Sequence, residues 1–218
     1  MFEAVIFDWD GTLADTRKAI VTSFHKALKE INLEVPTQYI ERRIGIGASE
    51  TFREILKAAN RKVDEKVVKQ LVERKSRVQI QLADQVALFE GTVELLEALR
   101  GKVKVGLASM NNRAVVMQML KINKLADCFD TILTVEAVSQ SKPNPEIFLK
   151  TAKLLKTSPQ VCVVVEDSIF GVKAAKSAGM SCIAVTTGVY SAEELDKVQP
   201  DLIVDSLLSK KVLNFILS

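Results

Sequence analysis

Histidine and cysteine are scarce in this chain, which has one histidine, His25, and three cysteines, Cys128, Cys162 and Cys182, among 218 residues. A lone histidine excludes a His-based metal cluster. Without a nucleophile-elbow motif it also leaves a Ser-His-Asp hydrolase little to build on, so His25 is read as structural. The cysteines are odd in number and far apart, and Cys162 and Cys182 lie inside apolar runs, so they are read as core thiols. No apolar run approaches the roughly 18 residues of a membrane span, and Met1-Phe2-Glu3-Ala4 leads into a strand pattern without the layout of a signal peptide. A cytoplasmic protein with no membrane partner is expected. The net charge of +3 is spread over helical faces with no basic block interleaved with aromatics, so no nucleic-acid partner is expected either.

What is present is an ordinary globular composition, 48% hydrophobic and 26% charged, with a length that suits one large domain or one domain carrying an insertion. Strand and helix patterns alternate along most of the chain, which implies an α/β fold: a Rossmann-like, doubly wound, mostly parallel sheet covered on both faces. The alternation fails between Asp15 and about Leu88, where the pattern is helical throughout. Asp15 or Thr16 is expected to cap a helix running to Ile31, and Thr37 and Ser49 to cap two more. Val67, Leu71, Val78 and Leu82 mark one face of a long helix between Asp64 and Asp84. The expected division is a core of residues 1–15 and 89–218 with an inserted all-helical cap of residues 16–88.

Polar residues gather where the apolar strands end. Phe7-Asp8-Trp9-Asp10-Gly11-Thr12 follows the first strand, and two carboxylates so close together repel by several kcal/mol, an energy that a divalent cation offsets. Ser109, followed by Met110, Asn111 and Asn112, ends the strand Val105 to Ala108, and its hydroxyl and the following amides suit a phosphate. Ser141-Lys142-Pro143-Asn144-Pro145 fixes a lysine in a stiff loop. Glu166-Asp167-Ser168 sets a second acidic pair after Val163-Val164-Val165. Each feature alone has a plain reading as a cap or a surface charge. Together they bring anions, a cation, a hydroxyl and amides to one edge of one sheet, where α/β folds place their ligands.

With DWDGT, LASMNN, SKPNPEIF and VVVEDSIFGVKAAKSAGM in this order, the chain resembles the haloacid dehalogenase superfamily of phosphotransferases over its whole length. It looks closest to the helical-cap branch that includes phosphoglycolate phosphatases and β-phosphoglucomutases. The resemblance implies a phosphomonoester hydrolase that acts on a small phosphorylated metabolite, phosphoglycolate or a sugar phosphate, as a monomer or homodimer. It implies that Asp8 is the nucleophile that becomes an aspartyl-phosphate, that Asp10 is the general acid and then base, and that Ser109 and Lys142 bind the phosphoryl oxygens. Mg²⁺ is implied at Asp8, the Asp10 carbonyl, Asp167 and Glu166.

The superfamily divides at residues that this chain either has or lacks. Asp10 and the Glu166-Asp167 pair argue against dehalogenase chemistry, and Lys18 and Lys26 of the first cap helix read as solvated rather than as the Schiff-base lysine of a phosphonatase. Arg74-Lys75 resembles a basic pair of the mutases. Their histidine after the Asp-Thr pair is replaced here by Ile20, so hydrolysis is the primary expectation and mutase activity the alternative. From other classes, a receiver-type phosphoacceptor has similar acids but is much shorter, and a non-catalytic phosphate-binding protein needs none of the filled catalytic positions. The segment from Arg42 to Ser49 resembles the substrate-specificity loop of the cap. Arg43 is expected to meet a substrate carboxylate there, and Gly47 to allow close backbone approach.

Overall fold

The computed structural model describes all 218 residues. Six parallel strands form the main sheet: β1 (Ala4–Phe7), β4 (Lys104–Ala108), β5 (Thr131–Leu133), β6 (Cys162–Glu166), β7 (Ser181–Val185) and β8 (Leu202–Val204), in the spatial order β5-β4-β1-β6-β7-β8. The first strand made is thus interior to the sheet. In register, Val5 lies opposite Val105 on one side and Val163 on the other.

Strands covered on both faces need apolar side chains at every position, which explains the unbroken runs AVIF and CVVV. Successive residues of β1 serve opposite faces. Val5 and Phe7 enter one core, against α5 (Thr92–Leu99), α6 (Arg113–Ile122) and α10 (Lys210–Leu217). Ala4 and Ile6 enter the other, against α7 (Glu146–Leu154), α8 (Ile169–Ser177) and α9 (Ala192–Asp196).

Between β2 (Ala14–Asp15) and β3 (Ala87–Leu88), which pair as a short antiparallel ribbon, the chain forms α1 (Arg17–Lys29), α2 (Thr37–Glu41), α3 (Ala48–Ala58) and α4 (Glu65–Gln81). These four helices enclose an apolar cluster of their own, centred on Phe24, Ile40, Phe52, Ile55 and Leu71. Asp64 caps α4 by accepting from the Lys66 amide at 2.8 Å. Thr37 and Ser49 cap nothing. They lie inside their helices, and Pro36 and Gly47 occupy the N-cap positions. His25 sits in α1 with Nε2 at 3.1 Å from the Val35 carbonyl, a structural contact. No helix is long and apolar enough to cross a membrane.

Candidate active site

The site starts from the alternation of β1. Trp9 continues the Val5 and Phe7 side, where its buried indole donates to Met119 Sδ at 3.2 Å. Asp8 and Asp10 on either side of it are thereby turned away from that core. Asp8 extends the β1–β6 pairing by one step through its amide, which donates to the Val165 carbonyl at 3.0 Å. That register sets Asp8 beside Glu166.

Lys142 reaches between them from the loop before α7. Its ammonium donates to Asp8 Oδ1 and Glu166 Oε1, both at 2.7 Å, and to the Ala108 carbonyl at 3.3 Å. The second oxygen of Glu166 accepts from the amides of Asp167 and Ser168 and from the Ser168 hydroxyl, each at 2.9 Å. Both Glu166 oxygens are therefore engaged by protein donors. Glu166 Oε1 holds Lys142 in place beside Asp8. Gly171 of α8 makes this possible, because a Cβ there would stand 1.8 Å from the Glu166 carboxyl.

The electrostatics follow from burial. Desolvation raises the Asp8 carboxyl most, Lys142 pulls it back, and Glu166 and Asp10 push it up again, for a net shift well above the ordinary range. Asp167 is raised in the same way, by burial first and then by Glu166 and Asp8. Burial on its own lowers Lys142, but Asp8 and Glu166 outweigh it and keep the ammonium protonated. Four buried carboxylates, Asp8, Asp10, Glu166 and Asp167, meet on the core side, where Lys142 is the one ammonium paired with any of them. This excess of negative charge suits a divalent cation.

The available donors fit Mg²⁺ in kind. No three His, Cys, Asp or Glu side chains are disposed to hold a metal by themselves, and Asp8, Asp167 and the main-chain carbonyl of Asp10 are the donors that could serve. Mg²⁺ ordinarily takes one or two carboxylates and completes its shell with water and phosphate oxygens. The Asp167 carboxylate is cradled for such a role. Thr12 Oγ1 donates to it at 3.1 Å, and a Cβ at Gly11 or Gly188 would come within 2.4 or 1.8 Å of Asp167 Oδ2.

Ser109 and Asn111 stand at the start of α6, which Asn112 caps by accepting from the Ala114 amide at 3.0 Å. Asn111 Nδ2 donates to both oxygens of Asp10 at 3.2 Å, and Ser109 Oγ donates to Asp10 Oδ2 at 3.4 Å. Met110 lines the cavity above them. That cavity, of about 30 Å³, has Asp10, Met110 and Asn111 on the core side and Ile20, Phe24, Arg43, Gly47, Thr51 and Lys75 among its cap residues.

The cap is docked on this edge. Arg42 donates to both Glu194 oxygens, at 3.1 and 2.5 Å, and to the Val189 carbonyl at 3.3 Å, while Tyr190 Oη donates back to the Arg42 carbonyl at 2.7 Å. The loop from Arg42 to Ser49 thus reaches the site, and a Cβ at Gly47 would lie 3.4 Å from Met110 Cε and from Ser141 Oγ. Arg43 borders the cavity with its charge already matched. Its Nε is 2.5 Å from Glu54, and its guanidinium lies 3.5 Å from the Tyr39 ring centroid.

Asp8, Asp10, Ser109, Lys142 and Asp167 are brought together from the separate chain segments that the sequence marks. Lys75 takes a larger part than sequence reasoning gave it. The apolar face of α4 runs Val67, Leu71, Val78, Leu82, and the place missing from that stripe is held by Lys75, so a charged residue on a buried face was the available signal. Gly171 and Gly188 carry no such signal, because their role depends on carboxylates that approach from elsewhere in the chain.

The family model of the haloacid dehalogenase-like hydrolases matches residues 5–185. Pyrophosphatase PpaX of Bacillus cereus is 29% identical over 209 residues, covering 93% of this chain and 92% of its own length. The β-phosphoglucomutase of Bacillus subtilis is 32% identical over 192 residues, covering 85% and 84%. Among solved structures, a hydrolase from Pseudomonas syringae superposes with a TM-score of 0.91 at 27% identity, over 99% of this chain and 100% of that one. With four polar strand ends converging under a docked helical cap, and a family model spanning both, this chain belongs to the haloacid dehalogenase-like hydrolases.

Proposed function

We propose that this protein is a Mg²⁺-dependent phosphomonoester hydrolase that works through an aspartyl-phosphate at Asp8 on a small phosphorylated metabolite. The observation that carries this reading is the pairing of Asp8 with Lys142 at 2.7 Å, at the meeting point of Asp10, Ser109 and Asp167. Lys142 holds Oδ1 and leaves Oδ2 to attack phosphorus. A P–O bond forms to Asp8 as the bond to the leaving oxygen breaks, and Asp10 donates its proton to that oxygen. Water then attacks the acyl phosphate, Asp10 takes a proton from it, and Asp8 is regenerated with release of inorganic phosphate.

The surroundings of Asp10 support this role. Asn111 and Ser109 orient its carboxylate, and it borders the cavity where a leaving group sits. Asp8, the Asp10 carbonyl and Asp167 would hold Mg²⁺, which would supply positive charge to offset that on the phosphoryl oxygens. Lys142 and Ser109 complement it from the protein side. Ile20 lines the cavity facing the acid/base and offers no proton-transferring group, which supports hydrolysis over the mutase alternative.

The test is acid-quench trapping of a phosphoenzyme during turnover of phosphate esters with Mg²⁺. Wild-type protein is expected to carry label on Asp8. Asp8→Asn is expected to carry none and to lose at least about 10⁴ in kcat. Label on another residue, or turnover retained in Asp8→Asn, overturns the mechanism.

A further inference from the structure

Two cavities reach the catalytic centre from different sides. The first, under the cap, is bordered by the Asp10 carboxylate and not by Asp167. The second, of about 80 Å³, lies beside the hinge where the cap joins the core, and it is bordered by Asp167 and not by Asp10. Its lining combines the exposed Asp15 and Arg17 with the buried Asp167, so it leads from the surface to a carboxylate of the centre. Ile44, a buried side chain of the cap loop, is the one residue that borders both cavities and so forms the partition between them.

The hinge-side cavity is suited to water and to positive charge. Thr16 lines it and is fully buried, yet Oγ1 has no partner within the protein. The residue occupies the N-cap of α1 without capping it, so the hydroxyl is not spent on the helix. Buried hydroxyls are ordinarily hydrogen-bonded, and here only the contents of the cavity are left to do it. A water needs about 10–15 Å³, so several fit. Of the charged groups in the lining, Asp15 and Asp167 are carboxylates, and Arg17 is the single cation, with Nε 3.8 Å from Glu41. The cap-side cavity differs in each respect. It is smaller, at about 30 Å³, it has Ile20, Phe24 and Met110 in its walls, and it sets the buried ammonium of Lys75 in the path of an entering cation.

We propose that the hinge-side cavity is the entrance by which a hydrated divalent cation reaches Asp167, by a route separate from the one the substrate takes under the cap. This rests on the metal-dependent reading above and adds the path of the ion to it. A small, strongly hydrated cation dehydrates reluctantly, and a polar passage that ends on a carboxylate lets it keep water until ligands replace it.

The experiment uses Mn²⁺ with the full-length protein and no substrate. Electron paramagnetic resonance of the free ion gives Kd, and release into an excess of a fluorescent chelator gives the dissociation rate. Val189→Phe adds bulk to the hinge-side cavity and Ala48→Phe adds it to the cap-side cavity. A narrowed entrance slows binding and release by the same factor. Val189→Phe is therefore expected to slow release by about 10- to 100-fold, the scale on which overpacking acts, with Kd unchanged. Val189→Leu is expected to slow it less, and it replaces the larger variant if circular dichroism shows that one unfolded. Ala48→Phe is expected to release Mn²⁺ at the wild-type rate. Unchanged release in the Val189 variants overturns the inference, and so does equal slowing in Ala48→Phe, which brings the metal in under the cap. A Kd that rises in both Val189 variants marks a distorted metal site and overturns it as well. In each of these cases the hydrolytic reading stands. Wild-type protein that binds no Mn²⁺ overturns the metal-dependent reading and this inference with it.

Discussion

The core wall and the cap wall of the site each contain a buried lysine, and the two are in opposite electrostatic states. Lys142 lies between Asp8 and Glu166 and is held above the ordinary lysine range, even though burial acts against it. Lys75 has only amide oxygens for partners, and burial pulls it down to about 8, with Asp10 offsetting a small part. Equal burial with unequal company shows a division of labour. On the core wall the buried cation is paired within the protein. On the cap wall it has no carboxylate partner.

Breaking the core wall is expected to have the largest effect. Lys142→Met leaves Asp8 and Glu166 adjacent and buried without their cation. Turnover is expected to fall by about 10²–10³, as for other lost charge-stabilising donors. Stability is expected to fall by about 3–5 kcal/mol, the cost of orphaning a buried charge, measurable by urea denaturation. A variant that keeps wild-type stability would show that the core wall is not balanced through Lys142.

The cap wall predicts a pH dependence of known sign. Lys75 has a folded value of about 8 against an ordinary value of 10.5, so between those limits the unfolded chain holds a proton that the folded protein lacks. Stability contributed at this position therefore rises with pH across that window. Measured against Lys75→Met, wild-type protein is expected to gain on the order of 3 kcal/mol between pH 7 and pH 11. A pH-independent difference would place a hidden anion beside Lys75.

A smaller effect sharpens the core side. Gly188→Ala pushes a methyl into Asp167 Oδ2 while leaving every charge in place. The Mg²⁺ concentration giving half-maximal thermal stabilisation is expected to rise by about 10- to 100-fold, as for other residues that orient a metal ligand.

Most of the core wall was legible because strand ends on a parallel sheet are marked in sequence by the first polar residue after an apolar run. Asp8, Ser109 and the Glu166-Asp167 pair all announce themselves in that way. Which of two adjacent acids faces which way is a matter of parity. Glu166 shares a face with Cys162 and Val164, beneath α8, and that face leads to Lys142. The cap was legible as helices but not in its details. Pro36 and Gly47 displaced the expected caps, and Gly47 lies where the backbone must pass close to Met110. The pairing of Arg43 with Glu54 depends on how α2 and α3 meet, which no short-range pattern encodes.

The place of β1 in the sheet also imposes an order in time. As the chain leaves the ribosome, Val5 waits for both of its neighbours, because Val105 belongs to one and Val163 to the other. At translation rates of about 5–20 residues per second, the first strand remains an unpaired apolar segment for roughly 5–20 s before β4 is made. The four cap helices need no such wait, since the buried cluster they share is drawn from Ile20 to Leu71, a continuous stretch. The nascent protein can therefore assemble its lid before the sheet that the lid covers, and the exposed AVIF strand is the segment most in need of protection in the interval.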